Sequence, residues 1–261
     1  MKLLEWLDAN RFLGVRIWDF SFRSLLRVYG RDFMKSVILR HPVQTFHGIR
    51  RYRRLENPDA SGEYQSDFDK VGVNGKKDGQ RVIGVGFCLK PLHPGCVSGR
   101  GNHNCFYLEQ NLHREPEPGA AVREIPACCK SCVIKDIGLL SLASGCVFYI
   151  MTSARDILYD LILPSLEKGR FSRGLFVICR YSFEPFRMAL AIAGIQACLF
   201  PYEKNDCGDY ATWLRADKGV KDEQTSIPAS DWPVIQSRLS SPERAGETPI
   251  RIQKRGNLFY P

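Results

Sequence analysis

Three cysteines stand within five positions of the segment IPACCKSCVIKDIG, where their type and spacing could do chemistry. They are Cys128, Cys129 and Cys132, and a run with helical character follows them. A Cys-x-x-Cys pair lets two sulfurs reach one metal ion, but disulfides and reactive dithiols can use the same spacing. The dipole of a helix that begins after Cys132 would stabilise a thiolate in either metal or redox chemistry. The rest of the chain has to separate these interpretations.

A second group of cysteines lies upstream in the loop CLKPLHPGCVSGRGNHNC, whose Gly, Pro and Asn content suits a backbone that wraps round a ligand. A loop of this length is usually functional or disordered, and its cysteines argue against disorder. With the Cys-x-x-Cys pair it supplies more than four thiolates, which favour zinc or an iron–sulfur cluster. His93 and His103 are alternative ligands in the same loop. The predicted metal ligands are Cys88, Cys96, Cys129 and Cys132, with Cys105 and Cys128 as further candidates.

The composition favours metal or catalytic roles for these thiols over disulfides. The chain has 261 residues and ten cysteines, and its hydrophobic content of 44% and charged content of 25% are typical of a globular protein. It has no uncharged apolar run of about 18 residues that would cross a membrane. Its first residues, MKLLEWLDANRFLG, are interrupted by Glu5 and Asp8 and are unlike a signal peptide. We therefore expect a cytoplasmic protein, in which thiols stay reduced.

From position 81 onward, short apolar runs alternate with helical periods. The predicted strands are RVIGVGFCL, CVFYIM, GLFVICR and QACLFPY, and the predicted helices cover about 135–144, 153–168 and 182–194. Such alternation indicates βαβ units and a parallel sheet covered on both faces. The predicted fold class is therefore α/β, an open and mostly parallel Rossmann-like sheet, in which Pro164 kinks the second helix. Gly84 and Gly86 form only a GxG pair, a weak dinucleotide signal.

Thiols follow three of the four predicted strands. In an open parallel sheet, ligands bind beyond the carboxyl ends of the strands, and Cys88, Cys179 and Cys207 stand at those ends. We expect Cys179 and Cys207 to face the same site as the predicted metal ligands, as extra ligands or as thiols that act on a substrate. Arg180 is available there for an anionic group. Cys179, Cys207 and Arg180 are therefore the candidate catalytic residues, whereas the other strand cysteines are predicted to fill the core.

The positive charge is concentrated at the N-terminus. The net charge is +9, and residues 1–56 hold 12 Lys+Arg against 5 Asp+Glu. Residues 11–30 have helical periodicity, and Gly30 is predicted to end the helix. The basic residues fall on one side of this helix and the apolar residues on the other, except for Phe20, which falls on the basic side. The basic side has Arg16, Arg23, Arg27 and Arg31, and the apolar side has Trp18, Phe22, Leu25 and Tyr29.

The basic segment has two main interpretations. The helix could pack on the body with its arginines in solvent, or residues 11–31 could lie on an anionic membrane surface. Nucleic-acid binding is the least favoured, since the basic strip is compatible with it but not specific. The composition then divides the chain into a basic amphipathic helical extension, a linker, a cysteine-rich α/β domain and an extended C-terminal arm: 1–56, 57–80, 81–225 and 226–261.

Several of these pieces together resemble the domain of unknown function 116 family. They are Cys88 with Cys96, then CKSCVIKDIGLLSLASGCVFYI, GLFVICRYSFEPFRMALAIAGI and NDCGDY, over about 81–215. The resemblance implies an α/β fold with a bound metal or iron–sulfur cluster, and it implies no particular reaction. Pro126 stands where the family has the first cysteine of a Cys-x-x-Cys-x-x-Cys series.

Three functions follow from these observations. The first is a cytoplasmic carrier of a cysteine-ligated cluster, [4Fe–4S], which acts in electron transfer or as an accessory to cofactor metabolism with a redox or cofactor-pathway protein as partner. The second is a thiol-dependent enzyme in which Cys179 or Cys207 attacks an acyl or alkyl group, while the knuckle holds structural zinc. The third is a non-enzymatic adaptor with a zinc knuckle that docks on a membrane surface through its basic helix.

Overall fold

A computed structural model describes residues 2–10, 17–55, 79–110, 124–239 and 252–261. The predicted linker therefore lies almost wholly outside the described residues, as does Arg16 in the predicted basic helix. Within these ranges, no helix combines the length and the apolar character that crossing a membrane requires.

A six-stranded sheet forms the centre of the protein. Its strands are β1 Gln80–Gly86, β2 Val147–Met151, β3 Phe171–Ile178, β4 Gln196–Pro201, β5 Gln253–Arg255 and β6 Leu258–Tyr260. The order across the sheet is β4-β3-β1-β2-β6-β5, and the first four strands in this order are parallel. The two short C-terminal strands are antiparallel and extend the β2 edge. The predicted open and mostly parallel α/β sheet is confirmed.

Helices cover both faces of the sheet. The α-helices are α1 Lys2–Ala9, α2 Trp18–Leu25, α3 Val28–Phe33, α4 Pro42–Leu55, α5 Phe106–Gln110, α6 Ala127–Lys130, α7 Val133–Ala143, α8 Ala154–Ile157, α9 Leu163–Lys168, α10 Arg180–Ala193, α11 Tyr210–Asp217 and α12 Asp231–Leu239. Side chains of α5, α7, α11 and α12 pack on one face of the sheet, and those of α3, α8, α9 and α10 pack on the other.

The central strands are apolar at nearly every position because both of their faces are buried. All five residues of β2 are buried, and successive side chains alternate between the two cores. Phe148 and Ile150 belong to the core beneath α7, whereas Tyr149 and Met151 belong to the opposite core. This is the burial that a continuous apolar run in a parallel sheet predicts.

The helix that precedes β3 is distorted next to Pro164, as predicted. The helical segment widens from α8 into a π-helical turn, Leu158–Ile162, and returns to α-helix in α9. Proline lacks the N–H that bonds one turn back, and its ring crowds the carbonyl there, so the wider turn falls directly before it. The segment ends at Gly169, whose φ of 63° is the left-handed conformation that glycine adopts without strain.

The predicted single helix over 11–30 is wrong, because the chain turns after Leu25 and starts a new helix at Val28. Gly30 lies inside α3 and does not end a helix. A Cβ at Gly30 would lie 2.1 Å from the carbonyl oxygen of Ser24, so glycine allows the two short helices to approach closely. After α3, the chain continues as a π-helical segment, Met34–Leu39, to the start of α4.

The predicted faces of this segment also differ from those observed. Phe20, the exception in the pattern, points into the protein and meets Trp213 with ring centroids 5.0 Å apart. Phe22 and Leu25, which the pattern placed on the buried side, are 56% and 41% exposed. The turn after Leu25 breaks the helical period, and a pattern extended across a turn assigns the wrong face.

α4 carries the basic run RRYRR at 50–54 and packs on α10. Tyr52 is fully buried, and its hydroxyl donates a hydrogen bond to Glu184 at 2.6 Å. A Cβ at Gly48 would lie 2.4 Å from the Cα of Ile192, so this glycine sets how closely α4 packs on α10. The exposed arginines of α4 therefore belong to a helix that is firmly attached to the body.

The C-terminal residues 226–261 were predicted to be an extended arm, and the described part of them is more regular. It contains α12 and a hairpin of β5 and β6, and β6 pairs with β2. Phe259 is fully buried and packs on Phe148, with ring centroids 6.2 Å apart. Pro233 lies in the first turn of α12, where a helix tolerates proline, so the prolines of this region did not exclude a helix.

Gly48→Ala should destabilise the protein although alanine favours helices. The substitution contributes up to about 1 kcal/mol through helix propensity, but its methyl group cannot fit between α4 and α10, and overpacking costs about 1–3 kcal/mol. We expect the free energy of unfolding, measured by chemical denaturation, to fall by roughly 1–2 kcal/mol. The exposed Gln44→Ala in the same helix is the control and should change it by less than about 0.5 kcal/mol. A Gly48→Ala protein as stable as the parent would contradict this packing.

Candidate metal centre

Cysteines from two segments, the loop that follows β1 and the Cys-x-x-Cys segment, line one small cavity next to the start of α7. Cys132 is the N-cap residue of α7, and Cys105 directly precedes α5. The volume of the cavity is about 10 Å³, which is room for about one water molecule. The cysteines of this cavity, called here the cavity cysteines, are Cys96, Cys105, Cys128, Cys129 and Cys132.

A buried lysine organises the loop that carries two of these cysteines. Lys90 is 1% exposed, and its ammonium donates to the carbonyl oxygens of Gly99 and Asn102 at 2.9 and 2.8 Å and to Oδ1 of Asn102 at 2.7 Å. Its three donors therefore have three acceptors. Burial lowers the pKa of Lys90 to about 8, while the sulfurs of Cys96 and Cys105 act to raise it. The loop thus folds round a cation that faces the thiols.

Burial favours the protonated form of three cavity cysteines, Cys105, Cys129 and Cys132, when no cation is bound to them. It raises the pKa of Cys105 to about 11 and that of Cys129 to about 12, and in the latter the neighbouring Cys128 adds to the effect. The pKa of Cys132 is also raised by burial, although backbone N–H groups of α7 oppose the shift. A bound metal would displace these protons, because metal ligands are thiolates.

The cavity sulfurs are spread more widely than the ligands of a single zinc ion. Cys128 and Cys129 have sulfurs 3.8 Å apart. Within the described residues, one group of three metal-binding atoms has all its mutual distances within 4.8 Å, and it contains none of the cavity cysteines. No three cavity sulfurs are therefore that close to one another. Tetrahedral zinc, with bonds of about 2.3 Å, holds its sulfurs about 3.8 Å apart. In a [4Fe–4S] cluster each of the four thiolates binds a different iron, so a wider spread of the sulfurs is natural.

Cys88, a predicted ligand, lies outside this cavity. It sits in a short 3₁₀ turn, Phe87–Leu89, that follows β1. Burial raises its pKa to about 12, and the neighbouring thiol of Cys207 adds to the shift. The structure therefore brings together Cys96, Cys129 and Cys132 of the predicted ligands, adds the further candidates Cys105 and Cys128, and places Cys88 elsewhere.

A second thiol group, called here the sheet-edge group, lies at the carboxyl ends of the strands. It consists of Cys179, Asp206 and Cys207, whose ligand atoms all lie within 4.8 Å of one another. Cys179 follows β3 and is the N-cap residue of α10, and Cys207 lies in the loop after β4. Cys88, Cys179 and Cys207 meet at one edge, as predicted, since all three line one cavity. The prediction that Cys179 and Cys207 face the same site as the loop and Cys-x-x-Cys ligands is wrong, because those ligands line a different cavity.

Hydrogen bonds fix the acidic member of the sheet-edge group. Asp206 accepts the backbone N–H of Arg180 at 2.8 Å and that of Cys207 at 2.7 Å. The guanidinium of Arg180 is 3.9 Å from the same carboxylate, and its side chain is 67% exposed. The proximity of Asp206 to both sulfurs is a product of the fold, since Asp206 and Cys179 are far apart in the sequence.

The two thiols of the sheet-edge group influence each other. The pKa of Cys207 is lowered because Cys179 donates a hydrogen bond to its thiolate. The pKa of Cys179 is raised well above its ordinary value for the same reason, and burial adds to the shift. Cys207 is therefore the more acidic thiol of the pair.

The cavity beside the sheet-edge group is mostly apolar and has a volume of about 100 Å³. Aromatic side chains from separate parts of the chain, Phe20 and Trp213 among them, form its wall. The cavity lies at the carboxyl end of β1, between its two neighbours β2 and β3, where the direction of the strand order reverses. Open α/β sheets typically bind ligands at this point.

The remaining residues that the sequence singled out, His103, His93 and Gly86, do not line the cysteine cavity. Both ring nitrogens of His103 are engaged, at 2.7 Å from the carbonyl of Ile150 and at 3.0 Å from the hydroxyl of Thr152. His93 is exposed and is not among the residues that line the cysteine cavity. Gly86 is explained by packing, because a Cβ there would lie 2.0 Å from the hydroxyl of Tyr202.

Comparison with known proteins identifies no relative. No protein-family model, no curated protein and no solved structure matches this chain. The functional assignment therefore depends on the geometry of the two thiol groups.

Lys90→Met should disrupt the cysteine loop. Methionine has a similar length but cannot donate hydrogen bonds, so three buried acceptors would lose their partner, and we expect the free energy of unfolding to fall by about 3 kcal/mol. Chemical denaturation measures this change. The control is Lys168→Met, at an exposed position at the end of α9, which should change stability by less than about 0.5 kcal/mol. Equal effects of the two substitutions would contradict the organising role of Lys90.

Proposed function

We propose that this protein is a metal-binding protein whose cavity cysteines hold an iron–sulfur cluster, with a role in electron transfer or as an accessory to cofactor metabolism. The observation that carries the proposal is the convergence of five cysteines from two separate segments on one cavity. The proposed ligands are Cys96, Cys105, Cys129 and Cys132.

The chemistry of the donor set supports a metal centre. No disulfide joins any of the ten cysteines, all of which lie within the described residues. Single buried cysteines behave as small apolar residues, but Cys105, Cys129 and Cys132, whose pKa values are raised by burial, need a cation to become thiolates. The spread of the sulfurs favours a multi-iron cluster over one zinc ion.

Residues around the cavity would balance the charge of such a centre. The ammonium of Lys90 and the N-terminal end of α7 both place positive charge beside the sulfurs. A bound cluster would supply one-electron transfer. Because the cavity is small, a cluster would enter it only with an outward displacement of the loop that carries Cys96 and Cys105.

A groove of about 380 Å³ gives access to the centre from outside. Cys128 and Cys132 belong to its wall as well as to the wall of the cysteine cavity. Its opposite side carries Thr225, Ser226 and Trp232, and the hydroxyls of the first two are buried without a partner among the described residues. This groove supports a role in which a partner or a small molecule approaches the cluster.

Elemental analysis of protein purified without oxygen tests the proposal. We expect about four irons with matching sulfide per chain and a brown colour. Cys105→Ser and Cys132→Ser should each lower the iron content severely, because each removes a ligand. Cys198→Ala, in the core strand β4, is the control and should keep the iron of the parent.

Stoichiometric zinc without iron in the anaerobic protein would refute the cluster. Iron that stays unchanged in both serine variants would refute the ligand set. Circular dichroism of each variant checks that a loss of iron does not follow from a loss of fold.

A second candidate function, peripheral docking on an anionic membrane surface, rests on a separate observation. Exposed large apolar side chains are concentrated in the N-terminal helices. Of the thirteen such residues described, nine lie in this region: Leu3, Trp6, Phe22, Leu25, Leu26, Val28, Leu39, Val43 and Phe46. The proposed surface therefore extends beyond the predicted 11–31 to α4.

The outer face of α4 combines apolar and basic side chains. Val43, Phe46 and Arg50 are spaced for one helical face, and the Arg50 guanidinium lies 5.8 Å from the centroid of the Phe46 ring. Arg53 and Arg54 follow and are exposed. Apolar side chains interleaved with arginine are what an anionic lipid surface recognises.

Vesicle co-sedimentation tests this second candidate. The parent protein should bind vesicles that contain anionic lipid, and Phe46→Asp should weaken the binding at least tenfold because it places a charge on the apolar face. Val220→Asp, at an exposed apolar position on the body, is the matched control and should bind like the parent. Absence of parent binding, or equal binding by Phe46→Asp, would refute the docking surface.

A further inference from the structure

We infer that the sheet-edge group binds a second metal ion, of the zinc type, with one coordination position open toward the apolar cavity. The inference does not depend on the cluster proposed above, because it uses different residues. Its first support is distance. The sulfurs of Cys179 and Cys207 and a carboxylate oxygen of Asp206 all lie within 4.8 Å of one another, close to the separation of about 3.8 Å between ligands of tetrahedral zinc.

The types of ligand also favour a metal over a disulfide. A disulfide would use the two sulfurs alone, whereas a metal ion would also use the carboxylate of Asp206 beside them. As metal ligands, the two thiolates and the carboxylate would each carry a negative charge. The guanidinium of Arg180 lies near the carboxylate of Asp206. A divalent cation at the centre of the three groups would remove the repulsion between these charges, and two thiolates with one carboxylate form a donor set that zinc accepts.

A second layer of hydrogen bonds orients the ligands. The Ser182 hydroxyl lies 2.9 Å from the sulfur of Cys179, and Nε1 of Trp213 donates to the same hydroxyl at 2.8 Å. Since the indole can only donate, the hydroxyl accepts from it and has its own proton free for the sulfur. Both carboxylate oxygens of Asp206 accept backbone N–H groups. Metal ligands are typically held in this way.

The number of ligands leaves one position open. Structural zinc sites have four protein ligands, whereas catalytic sites have three and keep the fourth position for water or substrate. Cys179 and Cys207 lie on the wall of the 100 Å³ cavity, so the open position would face it. A dry cavity of about 150 Å³ is known to take benzene. The ligand class is therefore a small molecule with a short apolar body and one sulfur or oxygen donor.

Metal analysis of zinc-supplemented protein tests the site. We expect Cys207→Ser and Asp206→Asn each to lose one equivalent of zinc relative to the parent while the iron content is unchanged. Ser182→Ala should retain the ligands but weaken zinc binding about 10–100-fold. Cys198→Ala should bind zinc like the parent. If the parent protein held no iron–sulfur cluster, the difference in zinc content between the parent and the two variants would still be measurable. Each of the two proposals can therefore fail while the other holds.

The open position is tested with cobalt(II) in place of zinc and ethanethiol as the probe. Ethanethiol should shift the visible absorption of cobalt in the parent and in Cys88→Ala, but not in Cys207→Ser. Equal zinc content in the parent and Cys207→Ser, or a Cys179–Cys207 disulfide in the protein as purified, would overturn the metal site. Loss of zinc in Cys88→Ala would make Cys88 a fourth ligand and overturn the open position.

Discussion

The position of β1 between β2 and β3 is the constraint on which both thiol groups depend. Parallel pairing on each side of β1 makes the chain leave it toward one neighbour and come back to the other, which opens a crevice at the carboxyl ends. Cys88 and Cys179 flank this crevice because each follows one of the two strands. The connection from β1 to β2 must instead travel outward to α7, and it carries Cys96 and Cys105 away from the crevice.

The two groups consequently offer different environments to a metal. The cavity cysteines are many, are held on a loop, and have sulfurs that are spread apart beside a buried ammonium. The sheet-edge group is compact, is fixed by the ends of strands and by the N-terminus of α10, and includes a carboxylate. Rigid strand ends suit a site that must present one open position, whereas a loop can adapt to a larger inorganic centre. One chain can thus separate two kinds of metal chemistry.

Much of the fold could be predicted from the sequence, because continuous apolar runs and helical periods report burial directly. The four parallel strands, the distortion at Pro164 and the helix ends at Gly169 and Gly194 all follow from local chemistry. The N-terminal faces and α4 could not be predicted, since a turn after Leu25 and a close contact at Gly48 depend on distant residues.

The candidate site was predictable to a similar degree. The spacing of the cysteines indicated that they converge, but spacing alone cannot decide which sulfurs share a cavity. Cys88 is near the loop cysteines in sequence, yet it belongs with Cys179 because strand pairing outweighs proximity along the chain. The roles of Lys90 and Asp206 required the fold, since their partners are loop carbonyls and N–H groups whose positions no sequence pattern specifies.

The contact between Phe20 and Trp213 has a consequence for how the molecule could respond to its surroundings. Phe20 belongs to the outer helices, Trp213 holds the hydroxyl of Ser182, and that hydroxyl reaches the sulfur of Cys179. An event that lifts α2 from the body would admit water to the indole and loosen the donor to the sulfur. The basic extension is therefore part of the wall round the inner thiols, and what touches its outer surface would alter their reactivity.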